Sequence, residues 1–257
     1  MALHSEIQKS AVKADIMLEI RLNEIDSDEE SRLAYEGIYR ETDIALRDSF
    51  YLWLLNLLAL QPDDVYLDVS CGHGQLTKLA WQQGVNAHGL DLSQTAIGSG
   101  CPAVEHQLVV GNSQWLPYAD GTFSVASNIG SIEHYMAMDT AVQEMARVLR
   151  PNGRAIILLP NTFSLMHNIW TAFREGRTFI DSQPIQRYAA KREWQQLLEE
   201  NGLVVDRIIK YEIERPATWP DFLSYLYHPK RLMKWLLTPF IPLNLAFCFV
   251  YICHKPE

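Results

Sequence analysis

The sequence predicts an α/β protein, a doubly wound and mostly parallel sheet of seven strands with an antiparallel C-terminal strand. Three observations lead there. Short apolar runs at 65–69, 85–90, 107–110, 123–129 and 155–159 alternate with stretches of helical periodicity, the order that builds a parallel sheet with helices on its faces. The run 155–159 is apolar throughout, as a strand covered on both faces should be. The first run passes through a glycine turn into a helix, VYLDVSCGHGQLTKLAW over Val65–Trp81.

The elements follow in order. Residues 1–30 read as a polar, weakly helical extension in which IDSDEES is an acidic, solvated break. Tyr35–Arg40 and Ile44–Leu60 read as helices, and Phe50, Trp53, Leu54, Leu57 and Leu58 form an apolar face for the sheet. Val65, Leu67 and Val69 suit the first sheet strand. Gly72 and Gly74 let the chain turn sharply. Leu76, Leu79 and Ala80 mark the helix after them, which Gly84 ends. Ser93 caps the helix that follows the second strand. Met138–Leu149 is amphipathic, and Pro151-Asn152-Gly153 turns it into the fifth strand. Between 161 and 189 the pattern lapses, with Trp170, Phe173, Phe179 and Tyr188 among polar residues, as in a lid or binding loop. Lys191–Asn201 is a helix, Val204–Ile209 the sixth strand and Leu245–Cys253 the last. The domain expected over 31–257 thus carries inserts at about 161–189 and 212–242, the second an aromatic-rich helical stretch from Trp219 to Leu237.

Composition narrows the class. A chain of 257 residues with 48% hydrophobic and 21% charged residues is long enough for one large core. Its net charge of −9 disfavours a general nucleic-acid partner, since phosphate contacts need clustered Lys and Arg. Cys71, Cys101, Cys248 and Cys253 form no C-x-x-C pair or zinc spacing, and no metal is expected. They read as free thiols of a reducing compartment. The N-terminus has no apolar core of signal-peptide length, so a cytoplasmic location is expected. Trp235–Cys253 lacks charge and is long enough for a bilayer, but Pro239, Pro242 and Asn244 divide it into a half-helix and a strand. Lys230, Arg231 and Lys234 flank Leu232, Met233, Trp235, Leu236 and Leu237, so residues 230–237 have the makings of an interfacial helix.

The chemistry gathers where strands end. Asp68 closes the first sheet strand, at the edge where open α/β sheets bind ligands, and Asp91 closes the second. A carboxylate at Asp91 can accept both hydroxyls of a ribose. The NAD fingerprint wants a third glycine where this chain has Thr77. LDVSCGHG instead resembles motif I of the class I S-adenosylmethionine (SAM)-dependent methyltransferases, usually LD-x-G-x-G-x-G, with Ser70 at the first glycine position and His73 where threonine is common. LVVGNSQWLPYADGTFSVASNIGSIEHY resembles motifs II and III, matching at Gly111, Leu116, Pro117, Asp120 and Phe123, with Asn112 replacing an aspartate. EMARVLRPNGRAIILLPN over Glu144–Asn161 resembles the segment after them. The matched positions run in order from about 65 to 161, and the likeness is to the type-11 group.

The resemblance implies a Rossmann-like fold, SAM as co-substrate and a small-molecule acceptor. It implies a SAM site at Asp68, Ser70, Cys71, Gly72 and Gly74, at Asp91 and Leu92, at Asn112 and Ser113 on the adenine side, and at Asn128 and Ile129 after the fourth strand. Trp115 is placed either beside the adenine or in the core. A glycine turn at a helix N-terminus suits the carboxylate of SAM, and an ionised Asp68 suits its ammonium. Placement of reactants can supply about 7–11 kcal/mol of the barrier, so a base matters only for an acceptor such as a hydroxyl. His134, in Glu133-His134-Tyr135, is the candidate base. A non-catalytic SAM-fold binding protein and an NAD-dependent oxidoreductase are the alternatives.

Overall fold

A computed structural model describes residues 17–22, 25–41, 46–180 and 183–257. In chain order its first elements are β1 (Met17–Arg21), α1 (Asp28–Glu41) and α2 (Asp48–Leu58). The central run is β2 (Val65–Val69), α3 (Gln75–Gln82), β3 (Asn86–Asp91), α4 (Gln94–Gly98), β4 (Leu108–Val110), β5 (Phe123–Ile129), α5 (Met138–Val148) and β6 (Leu149–Pro160). Then come α6 (Trp170–Glu175), β7 (Ile185–Ala189), α7 (Lys191–Glu200), β8 (Val204–Tyr211), α8 (Trp219–Tyr227), α9 (Pro229–Leu237) and β9 (Cys248–His254).

Seven strands form one sheet in the order β4-β3-β2-β5-β6-β9-β8. The first five neighbours run parallel, and β9 lies antiparallel between β6 and β8. This is the doubly wound sheet expected from the alternation of strands and helices, and the Rossmann-like fold that the resemblance implies. Side chains leave a strand on alternate faces, so neighbouring residues feed two cores. Leu67, Ala126, Ile157 and Phe249 join Trp194 and Val142 on one face. Tyr66, Val125, Ile156 and Val250 join Leu54, Leu58 and Ala80 on the other.

The N-terminal expectation needs correction. Residues 1–16 lie outside the described residues, as do 23–24, 42–45 and 181–182. Met17–Arg21 is not helical: it pairs antiparallel with β7, from Met17 opposite Ala189 to Arg21 opposite Ile185. Its partner lies in the distant insert, so local periodicity carries no trace of it. Across this small sheet Arg187 donates to Glu19 at 2.6 Å, and from its buried position it also donates to the Tyr135 carbonyl at 2.5 Å. The acidic stretch IDSDEES is not a break either. Ser27 and Glu30 form a capping box that starts α1: Glu30 N donates to Ser27 Oγ at 3.3 Å, and Glu30 Oε2 accepts from Ser27 Oγ and Asp26 N at 2.9 Å. The insert 161–189 is more regular than its sequence indicates, since it contains α6 and β7.

Helix α1 lies over the carboxyl edge of the sheet and is tied down by acidic side chains. Asp28 accepts from Asn112 Nδ2 at 2.8 Å and from Gln114 Nε2 at 2.7 Å. Glu36 is buried and accepts the Gln94 and Thr95 backbone N–H groups at 2.6 and 3.0 Å, and the Thr95 hydroxyl as well. Burial alone would raise the Glu36 pKa, but the bonds from Thr95 and Gln94 outweigh it and hold the carboxyl below its usual range. An anion at the open N-terminus of α4 is favourable.

Replacing Glu36 leaves those donors unsatisfied beneath α1. Glu36→Ala should therefore lower stability by about 1–3 kcal/mol. Urea unfolding checks this, and a change within experimental error would mean that α1 is held by other contacts.

Candidate active site

The site begins with the turn after β2. Ser70, Gly72 and Gly74 all have left-handed backbone, with φ of 62°, 55° and 73°. For a residue with a side chain that conformation costs about 1–2 kcal/mol, and Ser70 is held in it by its hydroxyl, which lies 2.5 Å from Tyr135 Oη and 3.2 Å from Ser113 Oγ. A Cβ on Gly72 would come 3.1 Å from Tyr39 Oη of α1, and one on Gly74 would lie 2.9 Å from the Leu108 methyls. Gly72 thus lets α1 close over the turn, whereas Gly74 lets α3 pack against β4.

Asp91 is buried at the end of β3. Its Oδ2 accepts Gly72 N at 2.8 Å and its Oδ1 accepts Ser93 N at 2.9 Å. Burial pushes its pKa up, against the pull of these two bonds. Each oxygen keeps a further lone pair. Asp68 is also buried and accepts the Ser127 hydroxyl at 2.9 Å. Burial and the nearby Asp91 charge raise its pKa to about 7, although the Ser127 bond opposes them. A carboxyl so placed is receptive to a cation, which restores its charged form.

A cavity of about 180 Å³ joins these groups. Asp68, Ser70, Cys71, Gly72, Asp91, Leu92, Ile129 and His134 line it, eight of the expected site residues. Gly74, Asn112, Ser113 and Asn128 do not. Asn128 is buried and donates to Tyr135 Oη at 2.7 Å and to Val69 O at 3.2 Å, while its carbonyl accepts Ile132 N, so it fixes the loop after β5. Asn112 donates to Asp28, and its carbonyl accepts Gln114 N at 2.9 Å. Trp115 is neither in the core nor stacked in the site: it is 72% exposed.

The sequence reading did not single out the aromatic roof. Tyr35 and Tyr39 of α1 and Tyr51 of α2 line the cavity with Tyr135. Tyr35 and Tyr39 stand four residues apart on one helix face, the signal that would have found them. Burial raises the Tyr39 pKa, with the Asp91 charge adding to it. On the outer side of Tyr39 an open cleft of about 720 Å³ is lined by Arg40, His73 and Lys78 and shares Gly72 and Cys71 with the cavity. It lacks both carboxylates, so the smaller cavity is the candidate site.

His134 faces this cavity with its Nδ1 bonded to the Ile185 carbonyl of β7. Nδ1 is therefore the protonated nitrogen of a neutral ring, and Nε2 carries the lone pair. Burial pushes the pKa of His134 down to about 4, despite the Ile185 bond. Among the described residues, no group of three or more His, Cys, Asp and Glu is arranged to hold a metal ion, and all four cysteines are free thiols.

Residues 67–157 match the family model described as "Methyltransferase domain". The demethylmenaquinone methyltransferase of Bacillus mycoides is 31% identical over 116 residues, covering 40% of this chain and 48% of that protein. The chain spans about half the length of the curated relatives it matches. Relatives carry the names of O-, C- and N-methyltransferases. Among solved structures, geranyl diphosphate C-methyltransferase from Streptomyces coelicolor A3(2) superposes with a TM-score of 0.58 at 18% identity, over 92% of this chain and 87% of that one. The cyclase SpnF superposes at 0.62 and 15% identity, over 92% and 98%. Likeness at this identity shows the fold alone.

The low pKa of His134 has a consequence for stability. Its unfolded form takes up a proton near pH 6.5, its folded form only near pH 4. Between those values the unfolded chain binds more protons, so stability falls as pH falls, by about 1.4 kcal/mol per pH unit. Asp68, with its raised pKa, works in the opposite direction between about 4 and 7. Comparison with His134→Gln removes the histidine contribution and leaves Asp68 in place. Between pH 6.5 and 4 the wild type should lose stability relative to that variant, as read from urea unfolding at several pH values. Parallel curves would mean that His134 titrates normally.

Proposed function

We propose that this chain, which carries a methyltransferase domain of the type-11 group of class I SAM-dependent methyltransferases, moves the methyl group of SAM to a small-molecule acceptor. One observation carries the reading: a buried carboxylate, Asp91, holds the glycine turn by Gly72 N–H beside a second buried carboxylate, Asp68, under a roof of tyrosines. The remaining lone pairs of Asp91 suit the two ribose hydroxyls. Asp68 suits the ammonium, and Gly72 leaves room for the ligand's backbone-hugging tail. Leu92 and Ile129 flank the nucleoside with apolar surface. Ser113 and the loop that Asn112 orders through Gln114 and Asp28 stand on the adenine side.

Bound SAM supplies a methyl group on a cationic sulfur whose leaving group is a neutral thioether. The chain's part is placement and, for a hydroxyl acceptor, removal of a proton. His134 Nε2 is the group assigned to take that proton. With a pKa near 4 it is a weak base, yet it stays neutral and able to accept across the whole range above that pH. The inserts 161–189 and 212–242 are assigned to the acceptor: Gln183 of the first lines the cavity, and Glu214 of the second grips Arg47 beside α2. We place the protein in the cytoplasm, where its four free thiols fit. A chain of net charge −9 is not assigned a nucleic-acid partner. No helix among the described residues is long and apolar enough to cross a membrane; peripheral contact through residues 230–237 is part of the proposal.

Ser70 in place of glycine and the Asn112 that Asp28 and Gln114 hold favour a second reading, a SAM-fold protein that binds without transferring. Binding of SAM and of NADH, measured side by side by calorimetry, comes first. SAM should bind and NADH should not. Asp91→Asn should weaken SAM at least tenfold, since hydrogen bonds to a charged acceptor contribute about 1.5–3 kcal/mol each. Labelled SAM incubated with cell-extract fractions should then pass label to a small molecule. His134→Ala should slow that transfer about a hundredfold with SAM affinity retained. NADH binding, or binding of neither ligand, would contradict the proposal, and SAM binding without transfer would favour the second reading.

A further inference from the structure

Each insert turns a set of apolar side chains outward. On α8, Trp219, Phe222 and Leu226 recur at helical spacing and are exposed, while Tyr225 is buried on the other side. On α9 the exposed stripe is Met233, Leu236 and Leu237. Lys234 points the other way: its ammonium lies 4.6 Å over the Phe247 ring and 3.3 Å from His167 Nε2. At Lys234 the usual amphipathic pattern, with charge toward water, is reversed, whereas Lys230 stays exposed. In the first insert Phe163, Ile169, Trp170 and Phe173 are exposed as well, with Phe173 at 81%. Single exposed apolar residues are ordinary, but runs of them on three neighbouring elements mark an interaction surface. The contact of Lys234 with His167 joins the inserts.

Charge identifies the occupant. The inserts 161–189 and 212–242 hold seven basic and five acidic residues in a chain of net charge −9, and two of the acidic ones, Glu212 and Glu214, are buried. Lys230 and Arg174 are exposed beside the apolar stripes, and Arg174 lies over the Trp170 ring at 5.7 Å. Outward Trp, Phe and Leu flanked by Lys and Arg are the chemistry of helices that lie in a membrane interface, and basic residues near it are drawn to anionic headgroups. Two-fold pairing with a second copy would instead bring two basic sets together.

We propose that the outer faces of α8, α9 and the 163–173 segment form one docking surface for a bilayer containing anionic lipid. The surface does not depend on the methyl-transfer reading. It does adjoin the cavity: Arg47, next to the cavity-lining helix α2, pairs with Glu214 and stacks at 5.2 Å on Tyr225 of α8.

The test is flotation of the full chain with vesicles of phosphatidylcholine, with and without phosphatidylglycerol, at low and high salt. The wild type should float with the anionic vesicles at low salt, and salt should weaken it. The variant Met233→Ser/Leu236→Ser/Leu237→Ser, altered only at exposed positions, should float at least about tenfold less. Lys230→Glu/Arg174→Glu should lose the preference for anionic vesicles. Circular dichroism melts check that both variants fold. Failure of the wild type to float overturns the proposal, as does equal flotation with both vesicle types or flotation unchanged in the serine variant. Self-association of the wild type that the serine variant lacks, without flotation, would assign the surface to a second copy and overturn it too.

Discussion

The candidate site depends on one carboxylate taken out of water. Asp91 accepts the amide of Gly72 through one oxygen and that of Ser93 through the other. It thereby joins the glycine turn after β2 to the start of α4 after β3, two segments that strand pairing alone only brings near each other. Removing a carboxylate from water is costly unless its lone pairs find donors, and here both oxygens do. The bonds that satisfy Asp91 also hold the turn in its left-handed conformation. Asp91 itself lines the cavity. The same group thus holds the turn and is the one proposed to meet a ligand with two adjacent hydroxyls.

The same economy of acidic groups extends to the roof. Glu36 closes the open N-terminus of α4 from above, and Asp28 gathers the amides of Asn112 and Gln114. Helix α1 is thus docked by carboxylates rather than by a broad apolar face, and its tyrosines are presented to the cavity. On the far side Arg187 ties β7 to β1 and to the loop that carries His134 and Tyr135. The first insert therefore builds a wall of the site as well as reaching outward.

The parts legible in the sequence were those with short-range causes. Strand and helix periods reveal the sheet because each element buries its own face. The glycine turn, Asp68 and Asp91 stand out because turn chemistry and strand ends are local. What was illegible depends on distant partners. Met17–Arg21 becomes a strand only through Ile185–Ala189, and the pKa of His134 follows from burial against that same strand. Asn112 shows the limit most plainly. Its replacement of an aspartate is visible in the sequence, but the Asp28 carboxylate that meets its amide comes from a helix 84 residues earlier. The start of α1 was legible and overlooked, since Ser27 and Glu30 have capping-box spacing inside a run that looks merely acidic.

A nucleoside-bearing ligand is proposed to sit between Asp91 and the tyrosine roof of α1. Hydrogen exchange at backbone amides, with and without S-adenosylhomocysteine, tests it most directly. Exchange should slow in peptides covering residues 70–75 and 91–95 and in α1, with little change in α8 and α9. Protection confined to other segments, or none at saturating ligand, would contradict it.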